Sequence, residues 1–480
     1  MSEAAFQNPN SPGHPRWSRA LSCFVRIYPE EVGPTLRMTL LLFLLFSAYY
    51  IIKPIREGLI LSMSGGAELK SSAGALQAIF FILTAPFYRM FAQRFSGRRI
   101  LIGIFGLMAM NLLLFLWLGH LRFHYLGVVF YFWVGVFNLL TVSQVYSLST
   151  EIFSPEQGKR LFPLIALGAA AGAVTGSYVL KAASLRLGLL LPMVLAAGLL
   201  GVCALITAVG IPKGASLPPR SENEKKETSA RLFGGMKMVF QKRYIALVAG
   251  MILVSNLINT NSEYMLGRLV SDHFRAALGG NEAAVRTAIG GFYADLSLWV
   301  NLAVLAVQAF AVSRVVRRFG VSKVLWAVPT LALFSYGLAM IFPVLAVLSI
   351  VKIAENATDY SLNNTAREML FLPLSTAEKY QAKLAADTVF RRAGDAMSRP
   401  FVYLIMEMSS VGIAGFAGLN LVLTALWGVL IFALGRERKK IALGRSVGSA
   451  DAGHPERPAV TESPKSGFRW QSACILSKIR

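Results

Sequence analysis

Long apolar segments recur along this chain of 480 residues and leave little sequence for a soluble core. A helix that crosses a membrane needs about 20 mostly apolar residues, and about twelve such segments lie between Thr35 and Leu434. Hydrophobic residues make up 55% of the chain and charged residues only 15%, whereas soluble domains average about 25% charged residues. We therefore expect an all-α polytopic membrane protein.

A polar linker divides the predicted spans into two sets of six. The first set comprises residues 35–53, 72–91, 100–119, 125–148, 161–182 and 187–211, and the second comprises residues 244–269, 290–312, 324–340, 341–370, 384–408 and 412–434. The linker contains prolines and mixed charges without an apolar period, as loops do. The predicted organisation is a lead at 1–33, a first half at 34–211, the linker at 212–243, a second half at 244–434 and a tail at 435–480.

Lysine and arginine are concentrated in alternate loops, in the linker and directly after the last span. Cytoplasmic loops of membrane proteins carry this excess of basic residues, so we expect the lead, the linker and both termini to be cytoplasmic. The same loops account for the net charge of +23 without a nucleic-acid partner. The lead has no apolar core, so we expect no cleavable signal peptide.

The two halves repeat each other in sequence. The segment APFYRMFAQRFSGRRIL after span two matches QAFAVSRVVRRFGVSKVL after span eight, and YSLSTEIFSPEQGKRLF after span four matches YSLNNTAREMLFLPLSTAEKY after span ten. Two related six-helix halves with matching basic turns indicate the major facilitator-type architecture. In that architecture the substrate binds near the middle of the membrane, between halves that rock.

Span ten carries an unusual polar face within an apolar segment. At helical spacing its polar residues fall near one side; they are Lys352, Glu355, Asn356, Asp359 and Asn363. Ions within a span are costly, and by default they mark a functional path. We therefore expect this face to line a polar cavity that binds substrate. The alternative is a buried ion-pair network that only holds helices together.

Two other spans offer candidate substrate contacts. Span one ends near Lys53 and Arg56, where Pro54 is expected to break the helix and present both cations to an anion; alternatively, the pair snorkels at the membrane edge. Span seven places Asn256, Asn259 or Thr260, and Glu263 on one face. Those side chains could bind polar groups of a substrate or only form hydrogen bonds between helices, worth about 0.6 kcal/mol each.

Span eleven carries charges of alternating sign at intervals of four residues: Asp387, Arg391, Asp395 and Arg399. This spacing favours pairing within the helix. It also provides charges that exchange partners when the halves move. We expect a gating or charge-pairing role for these residues rather than direct contact with substrate.

The sequence contains no pattern that indicates an enzyme. It has no hydrolase nucleophile motif, no cluster with metal-ligand spacing, no phosphate-binding loop and no dinucleotide fingerprint in context. We therefore expect no catalytic residue, no metal and no cofactor. The expected partners are a small anionic substrate and the lipid bilayer, with no nucleic acid, and the protein is expected to be a monomer.

Four motifs give the chain a specific resemblance. They are KPIRE in span one, FSPEQGKRLF after span four, ENATDYSLNNTAREMLFLP in span ten and AKLAADTVFRRAGD in span eleven. Together they resemble the ATP:ADP antiporter (NTP/NDP exchange transporter) family, in the branch of free-living bacteria, over about Thr35 to Leu434.

The resemblance implies exchange of ATP and ADP across a bacterial inner membrane. It makes Lys53 and Arg56 anion contacts from span one. It assigns Lys352, Glu355, Asn356 and Asp359 to the wall of span ten, and Asp387, Arg391 and Asp395 to the charge set of span eleven. Many relatives have arginine where this chain has Lys53, so a point charge replaces a planar, forked donor.

Three functions remain open at this point. The first is a secondary transporter that exchanges nucleotides or related phosphorylated anions by alternating access. The second is a proton-coupled permease for another organic anion or a drug-like compound, which needs the acids but fewer cations. The third is a membrane sensor or docking module that binds a ligand without transporting it.

Overall fold

Helices are the only secondary structure in the described part of the chain, which in this computed structural model comprises residues 27–92, 97–210, 234–279, 281–407 and 412–451. The chain divides into two compact units, 1–434 and 435–480. Within the second unit, the description ends at Asp451 and includes an ion pair between Lys440 and Glu437. Most of the predicted linker, and the predicted lead up to residue 26, lie outside the described residues.

Twelve long helical segments follow one another along the described chain. The first six are α1 (Pro29–Leu61), α2 (Gly66–Ala92), α3 (Gly97–His120), α4 (Leu126–Ile152), α5 (Pro155–Leu187) and α6 (Pro192–Gly210). The next three are α7 (Arg243–Leu278), α8 (Glu282–Ala306, with a π-helical end at Val307–Val312) and α9 (Ser313–Ile341). The last three are α10 (Leu345–Thr358, a π-helical turn at Asp359–Asn363, and Asn364–Leu370), α11 (Thr376–Ala385, a π-helical turn at Ala386–Phe390, and Arg391–Glu407) and α12 (Gly412–Asp451).

Nine of the described helices are long and apolar enough to cross a membrane. The three long segments outside this group are α2, α10 and α11; α10 and α11 contain the charged motifs found in the sequence. The prediction of an all-α polytopic membrane protein is confirmed. The boundary predicted at residue 341 lies slightly later, since Phe342–Val344 separate α9 from α10, where Pro343 cannot donate a backbone hydrogen bond.

The predicted break at Pro54 is wrong. Helix α1 continues through Pro54 to Leu61 as a single helix. A proline removes one hydrogen bond inside a helix, but Ile51, Ile52 and Ile55 around it are fully buried, and this packing holds the helix together. The polar end of α1 therefore lies inside the protein instead of at a membrane edge.

Helices α1 and α5 pack at unusually close range. Gly168, Gly172 and Gly176 of α5 face successive backbone carbonyls of α1. A Cβ atom at position 172 would lie 2.2 Å from the carbonyl oxygen of Phe43. Small residues at this spacing allow two membrane helices to approach along their backbones, so the glycines make α1 and α5 one rigid unit.

The repeated motifs form the same arrangement at the starts of α5 and α11. In each case a capping box begins the helix, and polar bonds join it to the start of an earlier helix. Ser154 caps α5 and exchanges hydrogen bonds with Gln157, as in a capping box. Gln157 and Arg160 then bind Glu31 near the start of α1, at 3.2 and 2.6 Å.

In the second half the same arrangement has the opposite charges, with the base at the start of the earlier helix and the acid on the later one. The Ser375 backbone N–H donates to Glu378 at 3.0 Å within the capping box of α11, and Glu378 binds Lys242 at the start of α7. Hydrogen bonds from Lys242 and from the Ser375 backbone lower the pKa of Glu378 to about 2. Each arrangement holds two helices of one half together at the end where α1 and α7 begin.

Packing of α1 on α5 gives a direct test. Gly172→Ala should lower the melting temperature of the detergent-solubilised protein, because the new methyl group meets a backbone carbonyl and overpacking costs about 1–3 kcal/mol. Gly198→Ala in α6 is the matched control, since a Cβ atom there meets nothing within 4 Å. Equal melting temperatures for the two variants would contradict the close packing.

Candidate functional site

A chain of alternating charges runs through the middle of the protein. Arg56 and Glu57, neighbours on α1, form an ion pair. The other oxygen of Glu57 lies 2.8 Å from Lys70 Nζ on α2. Lys70 also binds Glu263 of α7 at 3.2 Å. Since α1 and α2 belong to the first half and α7 to the second, the Lys70–Glu263 pair joins the two halves.

The series of alternating charges continues from Glu263 into α10. Lys352 lies 3.4 Å from Glu263 and 3.4 Å from Glu355. It also donates to Asn259 Oδ1 at 2.8 Å, and its side chain is only 1% exposed. Glu355 accepts hydrogen bonds from the hydroxyl of Tyr336 at 2.6 Å and from Ser262 at 3.0 Å. Every ion in this chain therefore has at least one partner of opposite sign.

A small cavity of about 40 Å³ lies beside the charge chain, between the two halves. Its lining comes from helices α1, α7, α8 and α10 and comprises Tyr50, Lys53, Pro54, Glu57, Glu263, Tyr293, Leu296, Ser297, Val300, Asn356 and Tyr360.

Lys53 differs from the other cations of this region. Among the residues that the structure describes, no carboxylate lies within ion-pair distance of its amine, which lies 5.6 Å from the centre of the Tyr50 ring. Glu57 and Glu263, which share the cavity, each form ion pairs with other cations. The cavity wall thus carries one cation that forms no ion pair with a described residue.

The predicted site residues fall into three groups. Lys53, Glu263 and Asn356 line the cavity. Arg56, Asn259, Lys352 and Glu355 belong to the charge chain and its direct partners. The remaining three, Asn256, Asp359 and Asn363, lie outside the cavity lining.

Those three residues have partners elsewhere. The amide of Asn256 binds α11, and the amide of Asn363 donates to Asp359 at 2.6 Å within the π-helical turn of α10. The turn carries one extra residue per helical cycle, so the regular polar face predicted from residue 352 to residue 363 does not continue unchanged.

The pattern predicted for α11 is only partly present. Asp387 and Arg391 form an ion pair at 3.6 Å. Asp395 instead pairs with Arg392 at 3.6 Å and accepts hydrogen bonds from α7, from Asn256 at 2.5 Å and from Thr260 at 3.0 Å.

The structure also gives a reason for this change. The π-helical turn Ala386–Phe390 precedes Arg391 and shifts the phase of the helix. Gly394 then brings the two backbones together, since a Cβ atom there would lie 2.8 Å from the Leu253 carbonyl. Arg399 forms no ion pair with any described residue, so the predicted series of four does not extend to it.

Sequence reasoning missed several residues of the site. The predicted spans 35–53 and 72–91 leave Glu57 and Lys70 outside the membrane, but both side chains are less than a tenth exposed. Glu57 lies one helical turn after Lys53, a spacing that would have identified it once α1 was extended past Pro54. Tyr50, Tyr293 and Tyr360 carry no comparable sequence signal, because aromatic residues are common in any membrane helix.

The two halves are closed against each other at the end where α1 meets α2, which we call the loop end. Ser271 of α7 donates to the Leu61 carbonyl at 2.9 Å, and Arg275 donates to the Ser62 carbonyl at 2.8 Å. Tyr264 donates to Glu68 at 2.8 Å. The bonds from Ser271 and Arg275 occupy backbone acceptors that the end of α1 leaves free.

The fold and the site together define a class. The chain is a multi-pass, all-α membrane protein of the major facilitator type, with a polar cavity between two six-helix halves. Among the described residues, no group of three side chains is arranged to hold a metal ion.

Solved structures share this fold over most of their length. The nucleoside transporter NupG aligns with a TM-score of 0.59 at 14% identity, over 84% of this chain and 98% of its own. A bacterial homologue of the human lysosomal transporter Spinster, inward-facing and unoccupied, gives 0.56 at 15% identity, over 86% and 99%. A POT-family transporter in complex with 5-aminolevulinic acid gives 0.58 at 13% identity, over 84% and 96%. No protein-family model matches the sequence, and no curated protein does.

The buried pair in α10 can be tested by restoring charge balance. Lys352→Met should destabilise the protein by about 3–5 kcal/mol, because it leaves buried carboxylates uncompensated. The double variant Lys352→Met/Glu355→Gln should recover part of this loss, because the amide oxygen still accepts from Tyr336 and Ser262. Thermal unfolding in detergent measures both effects.

The control is Lys383→Met, which removes an exposed ion pair with Glu368 and should cost at most about 1 kcal/mol. A double variant that is less stable than the single variant would contradict charge balance as the role of this pair.

Proposed function

We propose that this protein is a secondary transporter that moves an organic anion through the membrane by alternating access. The observation that carries the proposal is the cavity between the halves, whose wall contains Lys53, a cation without an ion pair to any described residue. A lone cation within a membrane is costly, and an anionic ligand would neutralise it. The solved structures with the same fold are named as transporters, which supports the class.

Opening at the loop end would divide the charge chain at one bond. Lys70 would stay with Glu57 in the first half, and Glu263 would stay with Lys352 in the second. The hydrogen bonds from Ser271 and Arg275 to the end of α1 would break in the same movement. Each ion keeps a partner, so the movement avoids the full cost of exposing unpaired charges.

The proposed location is a bacterial inner membrane, with both termini in the cytoplasm. In that orientation the loop end faces away from the cytoplasm, and the structure is in an inward-facing state. The similarity to an inward-facing neighbour supports this assignment of the state.

The specific substrate proposed from the resemblance is a nucleotide or a related phosphorylated anion, taken up in exchange. Lys53 would contact the anion, and the amide of Asn356 and the hydroxyl of Ser297 would bind polar groups of the ligand. A neighbour that is a nucleoside transporter is compatible with such a ligand.

A proton-coupled permease for another organic anion is the second candidate. The observation that favours it is Glu263, which is 35% exposed, lines the cavity and links cations of both halves. A proton on Glu263 would weaken its pairing with Lys70 and Lys352 and so link protonation to opening. The third candidate, a sensor, predicts ligand binding without transport.

Counterflow in liposomes tests the proposed function. Vesicles that contain purified protein and unlabelled ADP should take up labelled ADP only when nucleotide is present inside. Lys53→Gln should reduce the initial rate at least tenfold, because Lys53 is the only lysine or arginine in the described cavity lining. Lys383→Gln, which changes a pair outside the cavity, should transport normally.

Three other results distinguish the candidates. Uptake that depends on a pH gradient and needs no internal substrate favours the permease. Binding without uptake of any organic anion favours the sensor. Loss of folded protein in Lys53→Gln, seen as aggregation on size exclusion, would assign Lys53 a structural role.

The Lys70–Glu263 pair, which joins the two halves, can be tested separately. Spin labels at Ser64→Cys and Asn281→Cys, in a background with the native cysteines replaced by serine, report on the separation of the two halves at the loop end. Lys70→Gln should raise the population with the longer distance at least tenfold, which corresponds to about 1.4 kcal/mol.

Lys70→Arg should keep the shorter distance, since it preserves the charge that binds Glu57 and Glu263. If the distance distributions of Lys70→Gln and the parent protein coincide, the Lys70–Glu263 pair does not hold this end closed.

A further inference from the structure

The cavity beside Lys53 is too small to hold a whole nucleotide. Its volume of about 40 Å³ gives space for roughly three water molecules, at about 10–15 Å³ each. The phosphate groups of a nucleotide that meets the protein in this state therefore need cations outside the cavity lining. Helices α10 and α11 offer two arginines for this role, Arg367 and Arg391.

Arg367 lies between the cavity and the end of the protein where α1 and α7 begin. It follows Tyr360, which lines the cavity, by seven residues, or about 10 Å along a helix at 1.5 Å per residue. Helix α10 ends soon afterwards at Leu370, whose carbonyl accepts a hydrogen bond at 2.7 Å from Tyr244, near the start of α7. Arg367 therefore lies at a depth that a ligand crosses on its way from this end to the cavity.

The guanidinium of Arg367 is half-buried and forms no ion pair with any described residue. It donates a hydrogen bond to Asn364 Oδ1 at 2.9 Å. The carboxylates around it have other partners: Glu368 binds Lys383 at 2.6 Å, Asp387 binds Arg391 at 3.6 Å, and Asp359 accepts from the Asn363 amide at 2.6 Å. A partly buried cation without a compensating charge is costly, and an anion would remove that cost.

The strongest charge interaction of Arg367 is with another cation. Among the charged groups that act on it, the guanidinium of Arg391 has a larger effect than the carboxylate of Asp387. The contact between Arg391 and Asp387, at 3.6 Å, is too long for a hydrogen bond, so the donors of Arg391 remain free for a ligand. Two guanidinium groups that repel each other are both stabilised by an anion placed between them, and their forked donors match phosphate oxygens.

The next residue on α11 locates this pair at the boundary between the halves. Arg392 binds Asp395 at 3.6 Å, and its guanidinium lies 5.1 Å from the centre of the Phe81 ring on α2, in the first half. Helix α11 therefore borders the first half where it carries Arg391. A path between the halves passes this boundary.

We propose that Arg367 and Arg391 form a phosphate-binding site, which holds the phosphate groups of a nucleotide before they reach Lys53. The inference rests on the proposed transport function and adds a second anion site to it. The cavity then has to enlarge only after the ligand is already bound to the protein.

Equilibrium binding to the full-length protein in phosphatidylcholine nanodiscs tests the inference without reference to transport. The probes are adenosine, AMP, ADP and inorganic pyrophosphate, and isothermal titration calorimetry measures each affinity. The parent protein should bind ADP at least ten times tighter than adenosine, because only the phosphate groups contact the arginines. Pyrophosphate should compete with ADP for the same reason.

Variants assign the preference to named side chains. Arg367→Gln should weaken ADP binding at least tenfold and adenosine binding less than threefold, whereas Arg367→Lys should have a smaller effect on ADP, because it keeps the charge and loses only the fork. Asp387→Asn should tighten ADP binding about threefold, because it releases Arg391 from a competing carboxylate. The control is Arg399→Gln, which removes a cation of α11 outside the proposed site and should leave ADP binding unchanged.

Size exclusion verifies that each variant is folded. If Arg367→Gln does not fold, Arg367→Lys and Asp387→Asn still measure the site. Equal losses of ADP and adenosine binding in Arg367→Gln would assign Arg367 a structural role and overturn the inference. Unchanged ADP binding in that variant, or a parent protein that does not prefer ADP to adenosine, would overturn it as well.

A lipid headgroup is the other source of phosphate at this depth. The measurements are therefore repeated in nanodiscs that contain phosphatidylglycerol. If the effect of Arg367→Gln on ADP binding persists there, the site binds the soluble ligand. If the effect disappears, lipid phosphate occupies the site, and the inference is overturned.

Failure of the proposed function gives a different result. ADP would then bind with the expected dependence on Arg367, while liposomes show no flux of any nucleotide. Conversely, normal counterflow of ADP, together with an Arg367→Gln variant that binds ADP as the parent protein does, would overturn this inference and leave the transport function in place.

Discussion

Neutralisation of buried charge is the constraint on which this structure depends. An ion within a membrane protein costs several kcal/mol unless an opposite charge compensates it. The series of ion pairs that runs from Arg56 to Glu355 meets that condition, because charges of alternating sign lie on four helices. Each of those helices is held at a distance set by an ion pair, so the middle of the protein cannot be repacked one helix at a time.

The remaining packing makes each half behave as a unit. The glycines of α5 lock it onto α1, and the pairs at the starts of α5 and α11 tie those helices to α1 and α7. Contact between the halves is extensive: one buried apolar cluster contains Leu61 of α1 and Ile289 of α8, and Lys181 of α5 pairs with Asp295 of α8 at 2.5 Å. The polar bonds near the loop end add to this contact, so separation of the halves there breaks apolar packing as well as polar bonds.

The sequence was sufficient for those features that depend on local pattern. Helix number and the first part of the polar face of α10, before the π-helical turn, follow from periodicity and spacing. The break predicted at Pro54 was wrong because a local rule was overridden by burial of the isoleucines around it. The regular pairing predicted in α11 failed at Asp395 for a similar reason, since α7 offers it better partners.

Long-range pairing explains what the sequence could not predict. Hydropathy places a charged residue outside a span, and by that rule Glu57 and Lys70 belonged to a loop region. Lys70 is buried because Glu57 and Glu263, the latter 193 residues away, compensate its charge. No short stretch of sequence contains both Lys70 and Glu263. Their pairing between the two halves can therefore be recognised only in the structure.

The charge at Lys53, which forms no ion pair with a described residue, has a consequence for energetics across a live membrane. In the proposed transport cycle, an empty site that bears one extra positive charge would feel the membrane potential when it moves, by up to about 2.3 kcal/mol per 100 mV. Binding of a monoanion removes this charge, so the loaded carrier moves without electrical work. Voltage would then act on the return of the empty site, and a cell could set the direction of net flux through its resting potential.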